Sequence, residues 1–293
     1  TFPLMNLAAA FGSLVGAGGA ALMSMRLGQK DYLSSNKILG NVFLLNIIIG
    51  ISFTIVVLAF LDPILYFFGA SEATLPYAHE YMVVILLGNV ITHLYMGLNA
   101  LLRSTGNPQK SMYATLYSVL INLVLNPLFI FVFKWGIQGS AFATIIAQTI
   151  MLIWQIKIFS NKNQFIHFKK EFFRLQRKIV ADILSIGLSP FLMNAASCII
   201  VVVINQGLIR YGGDLSVGAY GIVNRVIFFF ANDSNGIQSG DATYSGIQLW
   251  RRAVWTRIRS VEKNHHYGYS SSGCGIHYRA AFSACSGFCF YRR

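Results

Sequence analysis

Asn122 and Asn126 stand four residues apart, and Pro127 follows directly. Residues four apart on a helix share a face, so both amides point the same way. Pro127 brings no backbone N–H and frees a carbonyl one turn earlier. One apolar segment later, Thr144 adds a hydroxyl. Amide oxygens, a carbonyl and a hydroxyl suit a hard cation or a proton-linked hydrogen-bond network. Asn122, Asn126 and Thr144 are therefore the candidates for cation binding. The plainer alternative is that they only join helices by hydrogen bonds. Three further residues are candidates for lining a substrate cavity. Glu80 sits beside His79 at the start of an apolar span, at an interfacial position. His93 lies mid-span, where a satisfied core histidine is the plainer reading. Arg225 lies in the last span, facing a cavity or snorkelling to its end.

These groups are embedded in apolar sequence. The chain has 293 residues, 55% of them hydrophobic and only 11% charged, with a mean hydropathy of +0.57. Soluble domains carry about 25% charged residues, so the composition indicates a membrane protein. Polar groups inside such segments must face neighbouring helices or a wet cavity. Apolar windows of spanning length predict helices over about 3–25, 38–61, 77–101, 110–133, 137–158 and 179–210. A seventh begins near Leu215 and is recognisable to Phe230, and Pro190 is expected to tilt or kink the sixth. Asn194 and Gln206 in the sixth read as packing polar groups, and Cys198 is buried in its apolar run.

Basic residues are concentrated in alternate connectors. Arg26, Lys30 and Lys37 follow the first span, Arg103 and Lys110 the third. Lys157, Lys162, Lys169, Lys170, Arg174, Arg177 and Lys178 follow the fifth. The positive-inside rule places these connectors in the cytoplasm. The start of the chain then faces outside, which predicts an odd number of missing spans before Thr1 if the true N-terminus is cytoplasmic, one helix being the simplest case. The run from 157 to 178 reads as a solvated loop attracted to anionic lipid rather than to nucleic acid.

Several spaced segments resemble the multidrug and toxic compound extrusion (MATE) family of efflux transporters. They are L-V-G-A-G-G-A-A-L-M-S-M-R-L-G-Q at the start, R-S-T-G-N-P between spans, and N-L-V-L-N-P-L-F-I-F in the next helix. W-G-I-Q-G-S-A-F-A-T-I-I-A-Q, G-L-S-P-F-L-M-N and G-A-Y-G-I-V-N-R follow in order. The resemblance covers about 1–230. It implies an all-α integral membrane fold, with about seven transmembrane helices of a twelve-helix, two-lobe transporter. Residues 1–158 would form an N-terminal lobe lacking its first helix, and 159–178 the basic inter-lobe loop. Residues 179–230 would be the first two helices of the second lobe. This sequence departs from one family pattern: some members carry an aspartate where Asn126 stands, with a second in the absent first helix. A neutral amide cannot bind a proton near neutral pH.

Residues 231–293 change character. Asn232, Asp233, Ser234 and Asn235 interrupt the seventh span, and no later apolar window has spanning length. Eight of the 23 basic residues and three of the four cysteines lie in these 63 positions. Read back to permitted codons and shifted by one base, 241–259 can give MQPIAGYNFGGGQYGRVF, which looks like the family's continuation. It also echoes GAALMSMRLGQKDY of this chain, as a two-lobe repeat should. The tail is therefore expected to be an out-of-frame translation, irregular and unlikely to fold. His265, His266, Cys274, His277, Cys285 and Cys289 have no tight metal-ligand spacing, and no metal site is expected.

No nucleophile–base pair, phosphate loop or pair of acids in a polar setting is present, so an enzyme is not expected. The resemblance implies an antiporter expelling cationic amphipathic compounds in exchange for Na+ or H+, with no cofactor beyond that coupling ion. It would be a monomer in the cell (inner) membrane, with small-molecule xenobiotics and the lipid bilayer as its partners. This chain alone is expected to be inactive. The rivals are a lipid-linked oligosaccharide flippase of the same superfamily and a non-transporting, pseudogene-like product. A basic central cavity would favour the flippase, and the third to sixth spans carry almost no mid-helix Lys or Arg.

Overall fold

A computed structural model describes residues 2–250 apart from 69, 71, 73, 162–164 and 169. Within its helices the side chains of 2, 170, 210, 214, 215, 217 and 225–250 are not included. Among the described residues there is no strand. The helices are α1 (Phe2–Gly28), α2 (Tyr32–Ala59), α3 (Leu61–Phe67), α4 (Leu75–Leu87), α5 (Asn89–Ser104), α6 (Pro108–Pro127), α7 (Gly136–Phe159) and α8 (Arg177–Trp250). Among the described residues five helices are long and apolar enough to cross a membrane, six if the bent pair α4–α5 is one span. The chain is an integral membrane protein. Contacts divide it into two compact units, Thr1–Val217 and Gly218–Arg293, and the candidate cation site lies in the first.

Most spans fall where hydropathy puts them, and the differences have local causes. α2 begins at Tyr32, ahead of the expected start at 38, because Asp31 caps it. Its carboxylate accepts from the Ser34 N–H at 3.0 Å. Hydrogen bonding from the Ser34 hydroxyl and then its N–H, with Arg26 and Lys37 nearby, holds the Asp31 carboxyl below its ordinary pKa. The cap's contribution is therefore full above the unfolded value of about 4 and is lost as pH falls through the lower folded one. Asp31→Ala is expected to cost about 1 kcal/mol. A denaturant titration at neutral pH checks the loss, and the gap between variant and parent should close in strong acid.

The third span is bent by 55° at Gly88, between α4 and α5. The fourth ends in a π-helical turn, Leu128–Val132, immediately after Pro127. Proline removes the N–H that would continue the i→i−4 ladder. The ladder resumes one residue wider, with the Phe133 N–H on the Leu128 carbonyl at 3.1 Å. α8 is helical on both sides of a break at Gly213 (φ 64°, ψ −171°), which falls between the sixth and seventh predicted spans. Pro190 lies within helical backbone, and the non-helical dihedrals are at Gly213. Helical backbone continues past Asn232–Asn235 to Trp250, beyond the expected end at Phe230. The reading of 231–293 as out of frame, and the cysteines and histidines within it, otherwise lie outside the described residues.

One core joins α1, α2, α5 and α7 through Val15, Met23, Leu39, Leu98, Leu101 and Phe159. α1 also crosses the first half of α8 at very short range. A Cβ on Gly18 would overlap the Ile183 carbonyl, and one on Gly187 would overlap the Leu14 carbonyl. Only glycine lets two backbones approach so closely. Beside the crossing, Asn194 donates to the Ser13 hydroxyl at 3.3 Å. Cys198, buried as expected, donates to the Pro3 carbonyl at 3.2 Å. The Phe11 and Phe191 rings are 5.0 Å apart. Gln206 donates to the Phe67 carbonyl at 2.6 Å. Asn194 and Gln206 are both exposed, and each bonds to a neighbouring helix.

The basic segment after α7 is not a freely solvated loop over 165–176. Asn36 and Asn41 of α2 are buried and hold its backbone. Asn36 donates to the Phe165 carbonyl at 3.2 Å and accepts from the His167 N–H at 2.8 Å. Asn41 accepts from the Gln176 N–H at 2.8 Å. Ile166 is buried, and Phe168 and Phe173 pack on Phe43. The phenylalanines in this nominally basic segment explain the docking: their apolar area outweighs the solvation of the intervening charges.

Candidate functional site

α6 and α7 pack side by side and bring the three candidate cation ligands together. Asn126 Nδ2 donates to Asn122 Oδ1 at 2.7 Å. Asn122 Nδ2 donates to Thr144 Oγ1 at 3.0 Å, and that hydroxyl donates to the Ser140 carbonyl at 3.0 Å. All three donors run in one direction, from α6 into α7. The chain of bonds leaves one open end, because buried Asn126 Oδ1 has no donor. An unpaired acceptor at this depth costs on the order of 1–3 kcal/mol, so the position fits a cation or a donating group. Its neighbours are neutral: no Asp or Glu occurs between Glu80 and Glu171. Charge at the open end would be balanced by dipoles alone, which favours weak, exchangeable binding of a monovalent ion over tight binding of a divalent one. The π-turn starts two residues after Asn126, so the open acceptor sits at the place where the helix changes register.

Of the three cavity candidates, Glu80 and His93 take no part in this relay. Glu80 is exposed in the first half of α4. His79 next to it lies 3.6 Å from Asp62. His93 lies across the Gly88 bend, on α5, and is 2% exposed. It is buried as a core histidine should be, but it is not satisfied, since neither ring nitrogen has a hydrogen-bond partner. Its surroundings explain this: the ring faces Phe53, at 6.5 Å between centroids, and the small residue Gly12 of α1. Arg225 lies in the helical backbone beyond Val217, in the second unit, and its side chain is outside the described residues.

Sequence reasoning passed over other buried amides. Thr92 of α5 donates to Gln148 of α7 at 2.6 Å. Asn89 donates to the Gly50 carbonyl at 3.3 Å, beside Thr54, which donates to the Leu86 carbonyl at 3.0 Å. Gln155 is fully buried, and neither of its amide atoms has a partner. Asn46 Oδ1 is likewise unpaired. A signal was available in α7: Thr144, Gln148 and Gln155 recur at i, i+4 and i+11, which is one helix face. That face carries polar groups towards α6 at one level and α5 at the next.

Residues 1–128 match the MatE family model. The multidrug export protein MepA of Staphylococcus haemolyticus is 31% identical over 229 residues, covering 78% of this chain and 50% of that protein. MepA of Staphylococcus aureus is 28% identical over the same length and is covered to 51%. The chain thus spans about half the length of the curated relatives it matches. Among solved structures, the MATE multidrug transporter DinF-BH superposes with a TM-score of 0.80 at 26% identity, over 92% of this chain and 60% of that one. An inward-facing multidrug resistance MATE family transporter of the MOP superfamily shares the fold at a TM-score of 0.77 and 22% identity, with 92% and 60% covered. Family pattern over residues 1–128, relatives and architecture agree in their likeness to the MATE family.

Proposed function

We propose that this chain is part of a multidrug efflux antiporter, which exports cationic amphipathic compounds in exchange for Na+ or H+. The observation that carries the reading is the 31% likeness to a protein named as a multidrug export protein. The α6–α7 relay supports the exchange, because its open acceptor is a place for a coupling cation beside a helix that can change register. Efflux belongs to the whole transporter, in which two lobes alternate access to a midplane site. The lobe boundary around 159–178 is part of this reading, with the docked segment as the link between lobes. The neutral relay favours Na+, or hydrogen-bond coupling, over direct protonation at Asn126. The flippase alternative has no support from these relatives' names.

Two measurements test the proposal. Cells expressing the whole transporter should lose a lipophilic cationic dye faster than cells without it, and equal retention would overturn the reading. In the same background, Asn126→Asp introduces a titratable group at the open end of the relay. The pH or sodium dependence of efflux is expected to move by about one pH unit, or about tenfold in sodium. An unchanged profile would remove Asn126 from the coupling site.

A further inference from the structure

A second polar site lies away from the relay, at the other end of the α6–α7 seam. Lys110 at the start of α6, and Trp154, Lys157, Ile158 and Asn161 at the end of α7, line a cleft of about 310 Å³. Among the described residues neither lysine has a carboxylate partner, and the sequence explains why, with no acid from 81 to 170. The start of α6 adds to the positive field. Pro108 occupies its first turn, and the Asn107 side chain makes no capping bond. The N–H groups of Gln109 and Lys110 therefore have no intrahelical acceptor and face outward from the positive end of the helix dipole. Two ammonium groups, free amide N–H groups and a neighbouring indole make an anion site of interfacial composition.

The chemistry at its edge distinguishes the anion's source. Lys157 shares a face of α7 with Ile153 and Ile150, one and two turns towards the membrane middle. Both isoleucines are exposed, Ile153 at 61%. On α6 the exposed Tyr113 and Tyr117 continue the same way from Lys110, their rings 6.2 Å apart. The cationic cleft thus opens onto an apolar track running into the bilayer. A free phosphate would use only the cleft, whereas a phospholipid uses both.

We propose that the Lys110–Lys157 cleft binds the headgroup of an anionic phospholipid, whose acyl chains lie along Ile150, Ile153 and the Tyr113–Tyr117 face. The full 293-residue chain in phosphatidylcholine nanodiscs, titrated with phosphatidylglycerol and read by native mass spectrometry, tests this. Lys110→Gln with Lys157→Gln is expected to weaken phosphatidylglycerol retention about thirtyfold, about fivefold for each lysine. Lys110→Arg with Lys157→Arg should keep it, and this charge-preserving pair separates lost binding from lost folding. Lys134→Gln, at the opposite end of the seam, should have no effect. Equal retention by the double glutamine variant, or an equal loss in Lys134→Gln, would overturn the proposal. So would inorganic phosphate binding in pure phosphatidylcholine as tightly as the lipid does, which would make the cleft a soluble-anion site.

Discussion

Gly187→Ala is expected to force α1 and α8 apart and to destabilise the chain by about 1–3 kcal/mol, the range for overpacking a close contact. The added methyl would overlap the Leu14 carbonyl oxygen, a backbone atom that cannot rotate away. Relief requires moving a whole helix, and everything beside the crossing moves with it. The Asn194–Ser13 bond, the Cys198–Pro3 bond and the Phe11–Phe191 contact all depend on that spacing. Cys198 supplies the readout, since it is only 4% exposed in the intact chain. Its alkylation rate, resolved by peptide mass spectrometry from the cysteines at 274, 285 and 289, should rise about tenfold or more, matching a destabilisation of about 1.4 kcal/mol. Gly18→Ala should act in the same direction, because its Cβ meets the Ile183 carbonyl. An unaltered rate in both variants would show that the two helices are not held at this distance.

The second large effect concerns the docked segment. Asn36→Ala together with Asn41→Ala removes the acceptors of the His167 and Gln176 N–H groups and the donor to the Phe165 carbonyl. Leaving such backbone groups unpaired costs about 1–3 kcal/mol each. The phenylalanine contacts with Phe43 remain, so the segment loosens without losing every anchor. The open population should still rise at least about thirtyfold, as about 2 kcal/mol dictates. Limited trypsin digestion reads it at Arg174, where cleavage tracks the open population as long as reclosing is fast. The sites at Arg26 and Lys30, near the Asp31 cap, serve as an internal control and should be cut at the parent's rate.

How much of this was legible in the sequence depended on the distance over which each feature is determined. Helix positions are a property of apolar windows, and α1, α7 and α6 taken with its π-turn begin and end within a few residues of where hydropathy puts them. The α2 start was also local, in the capping geometry of Asp31 and Ser34, but a polar connector concealed it. The bend at Gly88 was not readable, because it depends on how α4 and α5 lie against Ile145 of α7. Nor was the docking of 165–176, whose partners Asn36 and Asn41 lie 129 to 135 residues earlier. For the relay, the spacing of Asn122 and Asn126 predicted one shared face, and the structure adds the direction of the bonds and the open acceptor. For His93, burial followed from its apolar neighbours. The lack of partners did not, because any of several helices could have supplied one.

The crossing of Gly18 with Gly187 also sets an order of events during synthesis. α1 can find α2 as soon as both are in the membrane, since they are neighbours in the chain. Its seat against α8 cannot form until the chain has been translated and inserted as far as Gly187. Until then the small-residue face of α1 is open to lipid or to other proteins of the insertion machinery. The α1–α8 contact is thus a late assembly step, and nascent chains halted before residue 187 should expose that face to a membrane-soluble cross-linker.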